Sequence, residues 1–137
     1  HWKTMTFIAG LRLGGMTAPW VLDGPMEGDA FRVYVRDVLA PTLRRGDVVV
    51  LDNLPAHRVA GIREAVTARR AQLFYLPPYS PDLNPIEMAF AKLKALLRQE
   101  PDRTIEGLVE RIGTLLDRFH PAECANFFQA AGYQRST

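Results

Sequence analysis

Two short runs, Val48–Leu51 and Gln72–Leu76, limit the architectures open to this chain more than any other feature. Each is apolar and short, and between them, from about Ala56 to Arg70, Val59, Ile62 and Val66 recur at helical spacing. A strand, a helix and a second strand joined this closely pair in parallel. Such strands are expected to be buried on both faces. Upstream, KTMTFIAGLRL alternates polar and apolar residues from Lys3 to Leu13. Gly14-Gly15 then marks a turn, and Met16–Leu22 reads as the returning strand of a hairpin. The expected fold is α/β, with an antiparallel hairpin beside parallel strands in one mixed sheet and helices flanking it.

The remaining elements are helical. Phe31, Val35, Val38 and Leu39 fall on one face of a helix over Glu27–Leu39, which Pro41 stops. Asn84 and Pro85 suit the cap and first position of a helix whose apolar stripe is Ile86, Phe90, Leu93 and Leu97. A further helix is expected over Ile105–Phe119, with Ile105, Leu108, Val109, Ile112, Leu115, Leu116 and Phe119 facing inward. The last, about Pro121–Ala131, stops at Gly132. Residues 1–137 thus read as a single domain with a helical tail from about 101.

Composition excludes several classes. A chain of 137 residues, 47% hydrophobic, can bury roughly two-thirds of its unfolded surface. The net charge of +2 does not by itself announce a nucleic-acid partner. Cys124, the sole cysteine, rules out an internal disulfide, fits a reducing compartment and sits in an apolar helical pattern. His1, His57 and His120 are too scattered for a structural zinc site. No apolar stretch approaches the ~20 residues a membrane span needs, and no signal-peptide pattern is present, so a cytoplasmic location is expected. The chain begins at His1 and runs at once into a strand, as a fragment would.

Two carboxylates carry the chemistry. Asp52 follows the Val48–Leu51 strand at its carboxyl end, where open α/β sheets place ligand sites. The pair Asp52-Asn53 equally suits a chain turn. Glu87 opens the helix after Asn84, at the spacing of a capping box in which it would bond the cap's N–H. Its place beside the apolar stripe also points it at the sheet. Lys94, seven residues on, shares that face and could hold a phosphate. His57 lies near Asp52 if the intervening residues turn tightly. Tyr79, Ser80 and Asp82 occupy a proline-rich loop that should be stiff. Arg44-Arg45, Arg69-Arg70 and the run Lys92, Lys94, Arg98 read as solvated faces unless the protein binds nucleic acid.

VVVLDNLPAH, followed after 34 intervening residues by the glutamate of LPPYSPDLNPIEMAFAKLK, resembles the mariner-type transposase superfamily, and more closely its bacterial insertion-sequence branch. The resemblance extends to HPAECANFFQAAGY near the end. It implies an RNase H-like fold and an Asp–Asp–Glu metal site that cuts and joins DNA. It makes Asp52 the second acid and Glu87 the third, with Mg²⁺ as the ion and Mn²⁺ able to substitute. His57 and Lys94 become substrate contacts. The implied partners are DNA, as transposon ends and target, and a second copy or an intact transposase.

The family's first aspartate stands on a strand upstream of the hairpin, and neither that strand nor the helix-turn-helix modules is present here. Asp23, Asp29 and Asp47 are each explained locally, as a turn, a helix start and a strand approach. The chain therefore reads as the C-terminal part of a catalytic domain, inactive alone. The alternative is a remnant that binds DNA or intact transposase and interferes with it; an inert fragment is the third. The missing strand would lie between the hairpin and the Asp52 strand, so the hairpin should either collapse onto that strand or find a partner chain to fill the gap.

Overall fold

The computed structural model describes residues 5–99 and 104–133. Strands β1 (Met5–Arg12) and β2 (Gly15–Asp23) form the hairpin, joined by a two-residue turn that makes them antiparallel. The predicted start of β1 at Lys3 lies outside the described residues. Helix α1 (Gly28–Tyr34) continues as a wide π turn over Val35–Leu39 and a 3₁₀ turn over Ala40–Thr42. Pro41 does not stop this helix. It sits within the closing 3₁₀ turn, where its missing N–H costs little, and the chain becomes extended at Leu43. Strands β3 (Val48–Leu51) and β4 (Gln72–Tyr75) pair in parallel, Val48 opposite Gln72 and Leu51 opposite Tyr75. Between them the expected long helix is two pieces, a 3₁₀ turn over Pro55–Arg58 and helix α2 (Ile62–Thr67). Val59 is extended and Gly61 has φ +95°, which breaks the helix between the pieces. Helices α3 (Ile86–Gln99), α4 (Ile105–Leu116) and α5 (Pro121–Ala130) follow.

The chain divides into two compact units: one runs up to Gly10 and over Ala18–Pro81, the other over Leu11–Thr17 and from Asp82 onward. In the first, Phe31, Tyr34, Val35 and Leu39 from the α1 segment pack with Ile62 and Val66 of α2 and Leu73 of β4. Tyr34 is anchored at both ends. Its ring stacks between Phe31 and Trp20, with centroids 6.0 and 5.9 Å away, and its hydroxyl donates to the Ala18 carbonyl at 2.8 Å. Ala18 is bent to φ +50° in mid-strand, turning that carbonyl toward the tyrosine. Burial without a charge partner pushes the Tyr34 hydroxyl's pKa well up.

One expectation about this unit fails. Strands β3 and β4 are not buried on both faces: Val48, Val50 and Phe74 are 56%, 37% and 54% exposed, because only their alternate neighbours meet the helices. Of the two arrangements expected around the gap, direct pairing of the hairpin with the Asp52 strand is not the one formed. Among the described residues β1–β2 and β3–β4 are separate two-stranded ladders.

In the second unit, α3 packs against α4 and α5. Leu93 and Ala89 of α3, Ile112 and Leu115 of α4, and Cys124 of α5 are buried. Ile105 and Val109, expected to face inward, are exposed. The described part of α4 begins at a well-formed cap, Thr104 accepting the Gly107 N–H at 3.0 Å. Gly132, at φ +95°, closes α5 as expected, with Tyr133 N–H returning to the Phe128 carbonyl at 2.9 Å.

Candidate functional site

The parallel ladder delivers Asp52. Beyond the four paired residues the Leu76 N–H still donates to the Leu51 carbonyl at 2.7 Å, so both strands end together and Asp52 emerges at the carboxyl end of the pair. The chain then folds back through the Pro55–Arg58 turn, closed by His57 N–H on the Leu54 carbonyl at 3.0 Å. This brings His57 Nδ1 to 2.5 Å from Asp52 Oδ1 and 3.3 Å from the Asp52 carbonyl. The residue is held at two further points, ring and backbone. Its ring lies 4.3 Å from that of Phe31, and the Tyr75 hydroxyl donates to the His57 carbonyl at 2.5 Å. The tight turn the sequence needed is thus present.

Asp52 Oδ1 and Asn53 Oδ1 are both buried, and neither accepts a directed hydrogen bond. The close His57 nitrogen therefore meets Oδ1 outside hydrogen-bond geometry. Two adjacent acceptor oxygens left in this way are unusual, since buried polar atoms are nearly always paired. A hard divalent cation takes such oxygen donors. Among the described residues neither Oδ1 makes the backbone hydrogen bond by which Asp and Asn turn a chain.

Glu87 belongs to the second unit, in the first turn of α3. Asn84 Oδ1 accepts the Ile86 N–H at 3.4 Å, and the Glu87 N–H returns to the Asn84 carbonyl at 3.2 Å. The Glu87 carboxylate closes no capping box with Asn84 among the described residues and is exposed. Lys94 is likewise exposed. Lys92 is different, being committed to internal contacts with Arg118 and Glu123. Its membership of a solvated basic run is thereby corrected.

Two of the acids weighed as substitutes are engaged elsewhere. Asp29 is paired with Arg32, and Asp47 accepts the Arg44 N–H at 2.8 Å. Among the described residues no group of three His, Cys, Asp or Glu could hold a metal ion. Sequence reasoning missed Asn53 and Phe31 as neighbours of the site. Asn53 could have been found from its place beside Asp52 at a strand end, whereas no local signal marks Phe31.

Residues 1–108 match the profile of the DDE superfamily endonuclease family. Among solved structures the chain is similar to the catalytic domain of Mos1 mariner transposase, at 12% identity and a TM-score of 0.66, covering 98% of this chain and 84% of that one. The Mos1 catalytic domain with raltegravir and Mg gives 13% identity, a TM-score of 0.66 and coverage of 97% and 83%. The same domain with raltegravir and Mn gives 15%, 0.63, 98% and 85%. At these identities the likeness establishes the fold, mixed α/β of the RNase H-like kind. No curated protein matches the chain.

Proposed function

We infer from one premise, that this chain belongs to the DDE superfamily endonuclease family, that Asp52 and Glu87 each offer a carboxylate to divalent-cation-dependent phosphodiester chemistry on DNA in transposition. The observation that carries the reading is the buried Asn53 Oδ1, left without a hydrogen bond beside the Asp52 carboxylate at the carboxyl end of the parallel pair. Mg²⁺ suits these oxygen donors, and Mn²⁺ has the same preference. A bound ion would stabilise charge developing on the phosphate and promote ionisation of an attacking hydroxyl or water.

The chain's own residues supply the rest. Asp52 presents its carboxylate from a strand end that cannot shift without breaking the β4 ladder. His57 holds that carboxylate from the side through Nδ1, and the Phe31 ring limits where the imidazole can turn. His57 also lies within reach of a substrate bound at Asp52, and Lys94 offers a cation for a phosphate. Among the described residues no three His, Cys, Asp or Glu side chains group together, which supports a second reading for this chain by itself: a non-catalytic partner that binds DNA or an intact transposase and interferes with it.

Mn²⁺ titration followed by electron paramagnetic resonance tests the metal reading. Asp52→Asn and Glu87→Gln should each weaken binding by about tenfold or more. Parent-like affinity in both variants would remove these residues from the metal site.

A further inference from the structure

Tyr79 carries two unfavourable features at once. Its side chain is fully exposed, and its backbone is left-handed at φ +59°, a conformation a bulky L-residue rarely adopts. Pro77 and Pro78 precede it and Pro81 follows, so the loop is stiff and holds the ring where it is. Neither feature serves the fold. The ring packs on nothing in the core, and the one nearby side-chain bond, Ser80 Oγ to the Pro78 carbonyl at 3.4 Å, bypasses it. Strain held at an exposed position is characteristic of ligand contacts.

The position specifies the ligand. Tyr79 leaves the sheet three residues after Leu76, whose N–H bonds the Leu51 carbonyl. Three residues of extended chain span at most about 11 Å, so the ring stands at the same end of the parallel pair as Asp52. Arg58 lies at this end too, its guanidinium 4.5 Å from the centre of the Tyr75 ring, and is exposed. An exposed aromatic face and a cation at one end of a strand pair are the elements by which proteins hold unpaired nucleotides, base on ring and phosphate on cation.

We propose that Tyr79 is a stacking platform for an unpaired nucleobase of the DNA strand whose phosphate is brought to Asp52, an assignment that rests on the DNA-processing reading above. A base in a continuous duplex is already stacked on its neighbours. The platform therefore favours a strand end or an overhang over blunt duplex.

The probe is a duplex with a short 3′ overhang carrying 2-aminopurine, titrated with the full chain in chelator so that no metal contributes. Overhang binding should quench the 2-aminopurine. Tyr79→Ala should weaken it roughly 5- to 100-fold and abolish the quench, while blunt-duplex binding is unchanged. Tyr79→Phe and Tyr79→Trp should restore both signals, which a merely structural role would not require. Tyr79→Ala binding and quenching like the parent, a parent that does not bind the overhang, or Tyr79→Phe failing as alanine does would each overturn the assignment. Mn²⁺ titration of Asp52→Asn separately reports on the metal reading, so the two can fail independently.

Discussion

Replacing Lys92 by alanine tests whether the basic run on α3 is a solvated face or part of the fold. Lys92 Nζ donates to the Arg118 carbonyl at 2.5 Å, pairs with Glu123 on α5, and sits 4.5 Å from the centre of the buried Phe119 ring. The charged hydrogen bond at the end of α4 contributes about 1.5 kcal/mol. The ion pair, whose partners are 25% and 39% exposed, adds about 0.5 kcal/mol after solvent screening. The cation over the ring adds about 0.5–1 kcal/mol. Because the three share one ammonium group they are not strictly additive, and Lys92→Ala should cost about 2–3 kcal/mol.

For a chain of this size that is a fall in Tm of roughly 6–12 °C. Lys94→Ala, on an exposed position two residues away, should stay within about 0.5 kcal/mol of the parent. Paired thermal and urea melts of both variants make the measurement. DNA binding should show the opposite ranking. Losing Lys94 should lower the salt slope by about one if it contacts a phosphate, while Lys92→Ala leaves the slope unchanged under conditions where the variant is folded. Equal stability of the two variants would refute the reasoning, showing that water competes successfully for the Lys92 ammonium.

Arg70 is held at φ +60° just past α2, with an exposed side chain. Arg70→Gly removes a left-handed penalty of about 1–2 kcal/mol and returns about half of it through a freer unfolded chain; a net gain of about 0.5–1 kcal/mol should appear as a higher urea midpoint. Alkaline pH should destabilise the protein. Burial raises the pKa of the Tyr34 hydroxyl and of the Cys124 thiol; Glu123 reinforces the shift at Cys124 and Lys92 opposes it. Both native groups hold their protons longer than the unfolded chain, so their stabilisation is complete below the unfolded values, about 8.5 for Cys and 10 for Tyr, and is lost as pH rises through the native ones. Urea midpoints measured from pH 7 to 10.5 should therefore fall above about pH 8.5; a flat profile would contradict it. With precleaved transposon-end DNA and Mg²⁺ or Mn²⁺, this chain alone should give no strand transfer, since phosphoryl transfer depends on complete ligation and positioning. Metal-dependent joining that is lost on Asp52→Ala would show that another acid completes the site.

The elements legible in the sequence were those fixed by local chemistry. The Val48–Leu51 strand, the hairpin turn, expected at Gly14-Gly15 and formed one residue earlier at Leu13-Gly14, and the glycine stop at Gly132 all rest on residue types whose preferences are decided within a few positions. What sequence did not reveal depended on partners distant along the chain. A run such as VVVL is the same whether one face or both are covered; here only one is, leaving Val48 and Val50 in contact with water. Similarly, Ala56–Arg70 has a helical period throughout, but Gly61 at φ +95° and the bond from Tyr75 to the His57 carbonyl favour two shorter pieces. That break matters to the site. A continuous helix from Ala56 would carry His57 along with its own axis, whereas the separate 3₁₀ turn lets the ring fold back onto Asp52. Likewise Glu87 had a capping explanation that any reader of Asn84-Pro85-Ile86-Glu87 would accept, and only the bonding around Asn84 shows that the carboxylate is left uncommitted. Motif spacing therefore singled out the two acids, while the buried Asn53 oxygen left without a hydrogen bond beside Asp52 exists only once the chain has folded.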